Sequence, residues 1–282
     1  MIETPAAGVA GASPDTPLGS LGLWPRVRDD RLFLSLIGGL IVLSWVSLWL
    51  WRESPQGRFL GHDAVGGVEP FGGGYFTLLA LFVAGWTLMT VAMMLPTSLP
   101  LVAFFRSLVR KRSDHVMLVA LLVLGYVLVW AAFAGLAHMG DVSIHLAFER
   151  VGWLHQNAWV IAASTFALAG AYQFSTLKYR CLEKCRSPVA FAMQNWSGQE
   201  RWDSLRLGVR HGIFCLGCCW ALMLLMFAVG VGSFGWMLVL AAVMATEKNM
   251  PWGRRLSAPL GIVLIGAGVA LAVAGMLGAE TL

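Results

Sequence analysis

Residues 116–137 read VMLVALLVLGYVLVWAAFAGLA, an apolar run without a single charged side chain. At 1.5 Å rise per residue, a helix of this length crosses the roughly 30 Å hydrocarbon core of a bilayer. Lipid offers the backbone no hydrogen-bond partners, so only helices and closed barrels can cross it. The alternation of a barrel strand is absent, so the run reads as a helix. Composition extends this reading to the whole chain. Of 282 residues, 58% are hydrophobic and 12% are charged, where a soluble domain carries roughly a quarter charged.

Six further apolar runs occupy 32–51, 75–96, 158–177, 211–230, 234–247 and 259–279. Pro96 ends the second, and Pro259 opens the last in a position that tolerates proline. The expected fold class is an all-α integral membrane protein of about seven transmembrane helices, or six if the short 234–247 run does not cross. Residues 1–31, prominent in Ala, Gly, Pro and Ser, are expected to form a flexible cytoplasmic tail. Residues 32–282 then form a polytopic helical membrane domain.

Lys and Arg positions set the orientation. With the N-terminus in the cytoplasm, all but three of the 20 Lys and Arg fall inside. They are Arg26, Arg28 and Arg31, then Arg106, Arg110, Lys111 and Arg112. The 178–210 loop follows, and then Lys248, Arg254 and Arg255. Only Arg52, Arg58 and Arg150 fall outside. The sequence pI near 9.2 therefore reports topology, and no nucleic acid is expected as a partner. The expected partner surface is the lipid bilayer, at the inner cell membrane, with the chain multi-pass.

All five cysteines lie between 181 and 219, as Cys181-x₃-Cys185 and Cys215-x₂-Cys218-Cys219. Positions i and i+4 share a helix face, so each group presents a thiol pair, with His211 one turn before Cys215. In a reducing cytoplasm such thiols bind metal or do redox work rather than form structural disulfides. Thiolates and thioethers are soft ligands that favour Cu(I), and Cys with His also suits zinc. Met93 and Met94, at the end of the 75–96 run, add thioethers. The candidate metal ligands are Cys181, Cys185, Cys215, Cys218, Cys219, His211, Met93 and Met94. Tyr172, Gln173, Lys178 and Glu247, polar residues at helix ends, are candidates to orient them through hydrogen bonds.

A second stripe, His138, Asp141, His145 and Glu149, lies toward the outer face. It reads first as an amphipathic connector on the membrane surface, and alternatively as an outer Zn(II) or Cu(II) site. A Gly-rich ATP-binding loop, a serine nucleophile elbow and a His-Glu-x-x-His helix are all absent from the sequence.

Four ordered strings carry a family resemblance. They are Trp86-x₂-Met89-x₃-Met93-Met94-Leu95-Pro96, Tyr172-Gln173-x₄-Lys178-x₂-Cys181-x₃-Cys185-Arg186-x-Pro188, Gly212-x₂-Cys215-x-Gly217-Cys218-Cys219-Trp220-x₂-Met223, and Glu247-Lys248. Over roughly 75–275 the chain resembles the predicted metal-binding integral membrane proteins grouped as domain of unknown function 2182. The resemblance implies a multi-span fold and a metal site at these positions, without naming a reaction.

The expected function is therefore metal handling, with Cu(I) as the favoured ion for transfer, sensing or insertion into a partner metalloenzyme. Two alternatives share the same residues. One is a membrane thiol–disulfide oxidoreductase using Cys215-x-x-Cys218, and the other is a membrane metalloenzyme.

Overall fold

The computed structural model describes residues 31–53, 73–197, 201–230 and 233–278, so the tail expected over 1–31 lies almost wholly outside the described residues. The order is α1 (Arg31–Glu53), α2 (Gly73–Met93), α3 (Leu95–Val109), α4 (His115–Arg150), α5 (Gly152–Gln156) and α6 (Trp159–Tyr172). Then come α7 (Thr176–Arg186), α8 (Pro188–Asn195), α9 (Arg201–Val229), α10 (Phe234–Asn249) and α11 (Ser257–Met276), the last entered through a 3₁₀ turn at Gly253–Leu256. No strand occurs among the described residues.

Four stretches are long and apolar enough to cross a membrane: Tyr75–Met93, His115–Ala147, Arg201–Val229 and Gly253–Met276. A fifth forms if α6 and α7 are one span, but these are bent by 63° against each other. The single helix expected over 158–177 is therefore broken. At Ser175 the backbone turns extended (φ −71°, ψ 139°), and its side chain caps the next helix by accepting from the Lys178 amide at 3.1 Å. Outward faces carry Leu36, Leu43, Leu124, Leu128, Leu136, Ile262 and Val263, all exposed. Water would tolerate such a surface poorly, whereas lipid suits it.

Three expected loops and ends differ from the reading. The 97–115 loop is mostly α3, because Leu101, Val102, Phe105 and Val109 give it a face that buries against Leu118 and Leu122 of α4. Most of the 178–210 loop is likewise helical, and α9 begins ten residues before the run at 211. The stripe from His138 to Glu149 is not a separate surface helix but the last turns of α4.

Glycines let α4 and α9 meet backbone to backbone. A methyl added at Gly208 would land on the carbonyl of Leu122, and one at Gly125 on the carbonyl of Leu205. Neither carbonyl can move aside as a side-chain tip could. Gly208→Ala is expected to lower the thermal unfolding midpoint in detergent, at a cost of about 1–3 kcal/mol. Gly135→Ala, where nothing lies within 4 Å of the added methyl, is expected to leave the midpoint unchanged.

Candidate metal centre

The site grows from one turn of α9. There Cys215, Cys218 and Cys219 are all buried. Cys218 and Cys219 donate their thiols to the Cys215 carbonyl, at 3.0 and 2.9 Å. This is the local bonding by which a short polar side chain satisfies itself within an apolar helix.

The cysteines form two flanks joined at Cys215, whose thiol also interacts with Cys185 and Cys218. On one side, Cys215 Sγ lies 3.2 Å from the Tyr126 hydroxyl of α4. Cys219 Sγ lies 3.8 Å from Met94 Sδ at the joint between α2 and α3. On the other side, Cys218 Sγ lies 4.0 Å from Cys185 Sγ of α7. Cys181, one turn earlier on α7, packs instead against Gly217, where an added methyl would sit 2.6 Å from its sulfur. All five are free thiols.

One cation enters this sulfur cluster. Lys248, at the end of α10, places Nζ 3.1 Å from Cys215 Sγ, 3.5 Å from Met94 Sδ and 3.8 Å from Cys219 Sγ. Thr97 Oγ1 is 3.4 Å away. Among the described residues, no three His, Cys, Asp or Glu side chains close into a ligand cage around one point.

The joint that positions Met94 has a local cause. Met94 closes α2 by bonding to the Thr90 carbonyl, and Pro96, lacking a donor, sits in the first turn of α3. The joint therefore exposes the Met94 carbonyl, which accepts from the Thr97 hydroxyl at 2.8 Å.

Beneath the sulfurs lies a second polar cluster. Lys178 donates to both oxygens of Glu247, at 2.7 and 2.8 Å, with side-chain exposures of 0% and 2%. Gln173 Oε1 also accepts from Lys178. Ser257 donates to Glu247 at 2.6 Å. Glu247 and Lys248 are adjacent in sequence, so this pair holds the end of α10 that aims the Lys248 ammonium at the sulfurs. The Tyr172 hydroxyl donates to the Gly217 carbonyl, tying α6 to the cysteine turn.

The remaining candidates bond to or pack on other groups, although His211 lies close enough to Cys215 and Lys248 to interact with their charges. His211 engages the Ser98 hydroxyl at 3.1 Å and stacks on Tyr126. Met93 is buried in the same core cluster as Cys215, Cys218 and Cys219. On the other stripe, His138 packs on the rings of Phe82 and Tyr75, and neither ring nitrogen has a hydrogen-bond partner. Asp141 and His145 line a cavity of about 600 Å³ with Phe133, Trp220 and Phe227. The Glu149 side chain lies outside those described.

Tyr126, Thr97 and Ser98 were not among the sequence candidates, and Lys248 entered only as a cytoplasmic charge and through the Glu247-Lys248 string of the family resemblance. A lone Tyr within the 116–137 run is the signal that could have marked Tyr126.

Apolar helices long enough to cross a membrane, enclosing thiol and thioether sulfur, define a helical bundle with a soft-ligand site. The family model described as PpoB2, copper chaperone, matches residues 83–271. The chain belongs to that family. No curated protein and no solved structure matches it.

Proposed function

We propose that this chain is a membrane-embedded copper chaperone that holds Cu(I) at Cys215, Cys219 and Met94 and passes it to a partner protein. The observation that carries this reading is the convergence of three sulfur atoms, from α9 and the α2–α3 joint, on a single cation. Soft sulfur donors favour Cu(I) over harder ions, while a thiol pair also accepts zinc. The spacing suits one ion. Two sulfurs at about 2.3 Å from a shared metal can stand up to ~4.6 Å apart, and Cys219 and Met94 stand 3.8 Å apart.

The Cys185–Cys218 pair is the adjoining thiol station, and half-buried Cys185 is its more accessible member. Tyr172, Gln173, Lys178 and Glu247 act from outside the donor set by holding α6, α7 and α10 in place. The chain spans the inner membrane seven times, with its N-terminus in the cytoplasm. The Lys and Arg asymmetry and the outward apolar faces support that placement. The basic surface of 178–210 is where a soluble partner would dock.

The test is metal content of detergent-purified protein by mass spectrometry, with thiol counting. About one copper per chain is expected, and Met94→Leu, which keeps volume and removes a soft donor, should weaken retention about tenfold. Metal-free protein with a disulfide that a reducing agent opens would replace this reading with thiol–disulfide exchange. Stoichiometric zinc would keep the site and change the cargo.

A further inference from the structure

A buried ammonium ordinarily sits against a carboxylate or a set of carbonyl oxygens, because its charge is costly to strip of water without them. Lys248 does neither. The nearest carboxylate in sequence, Glu247, is turned away and bonded by Lys178 and Ser257. Three of the four hydrogen-bonding contacts of Lys248 Nζ are sulfur atoms, and the fourth is the Thr97 hydroxyl. The residue is 5% exposed. These three sulfurs are the donors assigned above to copper, so the ammonium and the cargo compete for one place.

We propose that the Lys248 ammonium is a tethered stand-in for the copper ion, held among Cys215, Cys219 and Met94 in the absence of cargo and displaced when Cu(I) loads. This rests on the ligand assignment of the preceding subsection. In the exchange one monovalent cation replaces another beside Cys215, and the proton that Cys219 gives to the Cys215 carbonyl is released to solvent when its sulfur ligates Cu(I).

The displaced group has somewhere to go. Lys248 lies in the last turn of α10, and the next two residues, Asn249 and Met250, are exposed. A rotamer change can carry the four-carbon stem past the helix end into water, as lysines near helix ends commonly do. The returning ammonium would then favour release, which a chaperone needs and a storage protein does not.

The test is Cu(I) affinity, measured by competition with a chromogenic chelator, for the wild-type chain, Lys248→Leu and Lys248→Arg. Removing the competitor in Lys248→Leu is expected to tighten binding about tenfold. Lys248→Arg, which keeps a cation, is expected to stay within about threefold of wild type. A folded Lys248→Leu protein that binds Cu(I) equally or more weakly overturns the proposal, because the lysine would then be neutral or supportive toward the metal.

Should Lys248→Leu fail to fold, amine labelling of the wild-type chain read by peptide mass spectrometry decides. Lys248 is expected to react about tenfold faster in the copper-loaded protein, with Lys178 protected throughout as the internal reference. Equal protection of Lys248 in both forms overturns the proposal. A wild-type chain that binds no Cu(I) overturns the copper assignment and this inference together, whereas copper binding indifferent to Lys248 overturns only the latter.

Discussion

Cys215→Ser is expected to empty the protein of copper, from about one ion per chain to less than about a tenth, because a hydroxyl is a poor donor for Cu(I). Cys215 is where the two halves of the cluster meet. Its sulfur touches Lys248 and Tyr126, while its carbonyl accepts the thiols of both Cys218 and Cys219. The substitution leaves the carbonyl in place, and a serine hydroxyl can still bond the tyrosine and the ammonium, so the fold should survive. Metal loss at an unchanged unfolding midpoint is the expected combination. Cys181→Ser is the contrasting variant. Its sulfur packs on Gly217 rather than on the ammonium, and it should keep at least about half of the metal. Equal copper in Cys215→Ser and wild type would remove Cys215 from the ligand set.

Glu247→Gln is expected to cost about 3–5 kcal/mol of stability, the range for stripping one partner from a buried ion pair. Lys178 is fully buried and gives its ammonium to both Glu247 oxygens. A neutral amide would leave that charge facing one weaker acceptor and the Gln173 carbonyl. Ser257 would also lose a charged acceptor. The variant should unfold at a clearly lower temperature in detergent. Pairing it with Lys178→Met should recover most of the loss, since no buried charge then remains. A second effect is expected at the sulfurs, because the same turn of α10 carries Lys248. If the double variant recovers stability but binds copper abnormally, the pair is confirmed as the mount for Lys248.

The helices and the cysteine cluster were legible in the sequence for one reason. Hydropathy and the 3.6-residue period are local properties, and both are written in runs such as 116–137 and in the i, i+4 spacing of Cys215 and Cys219. What was not legible depends on packing between distant segments. The same spacing suggested that Cys181 and Cys185 act together, yet α7 lies against α9 so that Cys185 comes within 4.0 Å of Cys218 while the Cys181 sulfur faces Gly217. Met93 and Met94 were equal in sequence, and the joint at Met94 alone separates them.

His211 shares a face with Cys215 but meets Ser98 of α3, an element the sequence suggested was a loop. For Lys248, a helix-end lysine usually reaches outward to water, and nothing local says that this one turns inward. The break after α6 was equally hidden, since Ser175 is an unremarkable residue until its side chain is seen to cap α7.

The close contact of α4 with α9 at Gly125 and Gly208 also governs how the protein could let go of an ion. Those two helices form a fixed anvil, and Cys215 and Cys219 are set in its face. The opposing jaw is assembled from ends and joints: Met94 between two helices, Cys185 on short α7, Lys248 on the last turn of α10. A grip with one rigid side and one side of short pieces opens by small displacements of those pieces. No long helix has to break or slide, so hand-over of the cargo demands little rearrangement of the bundle.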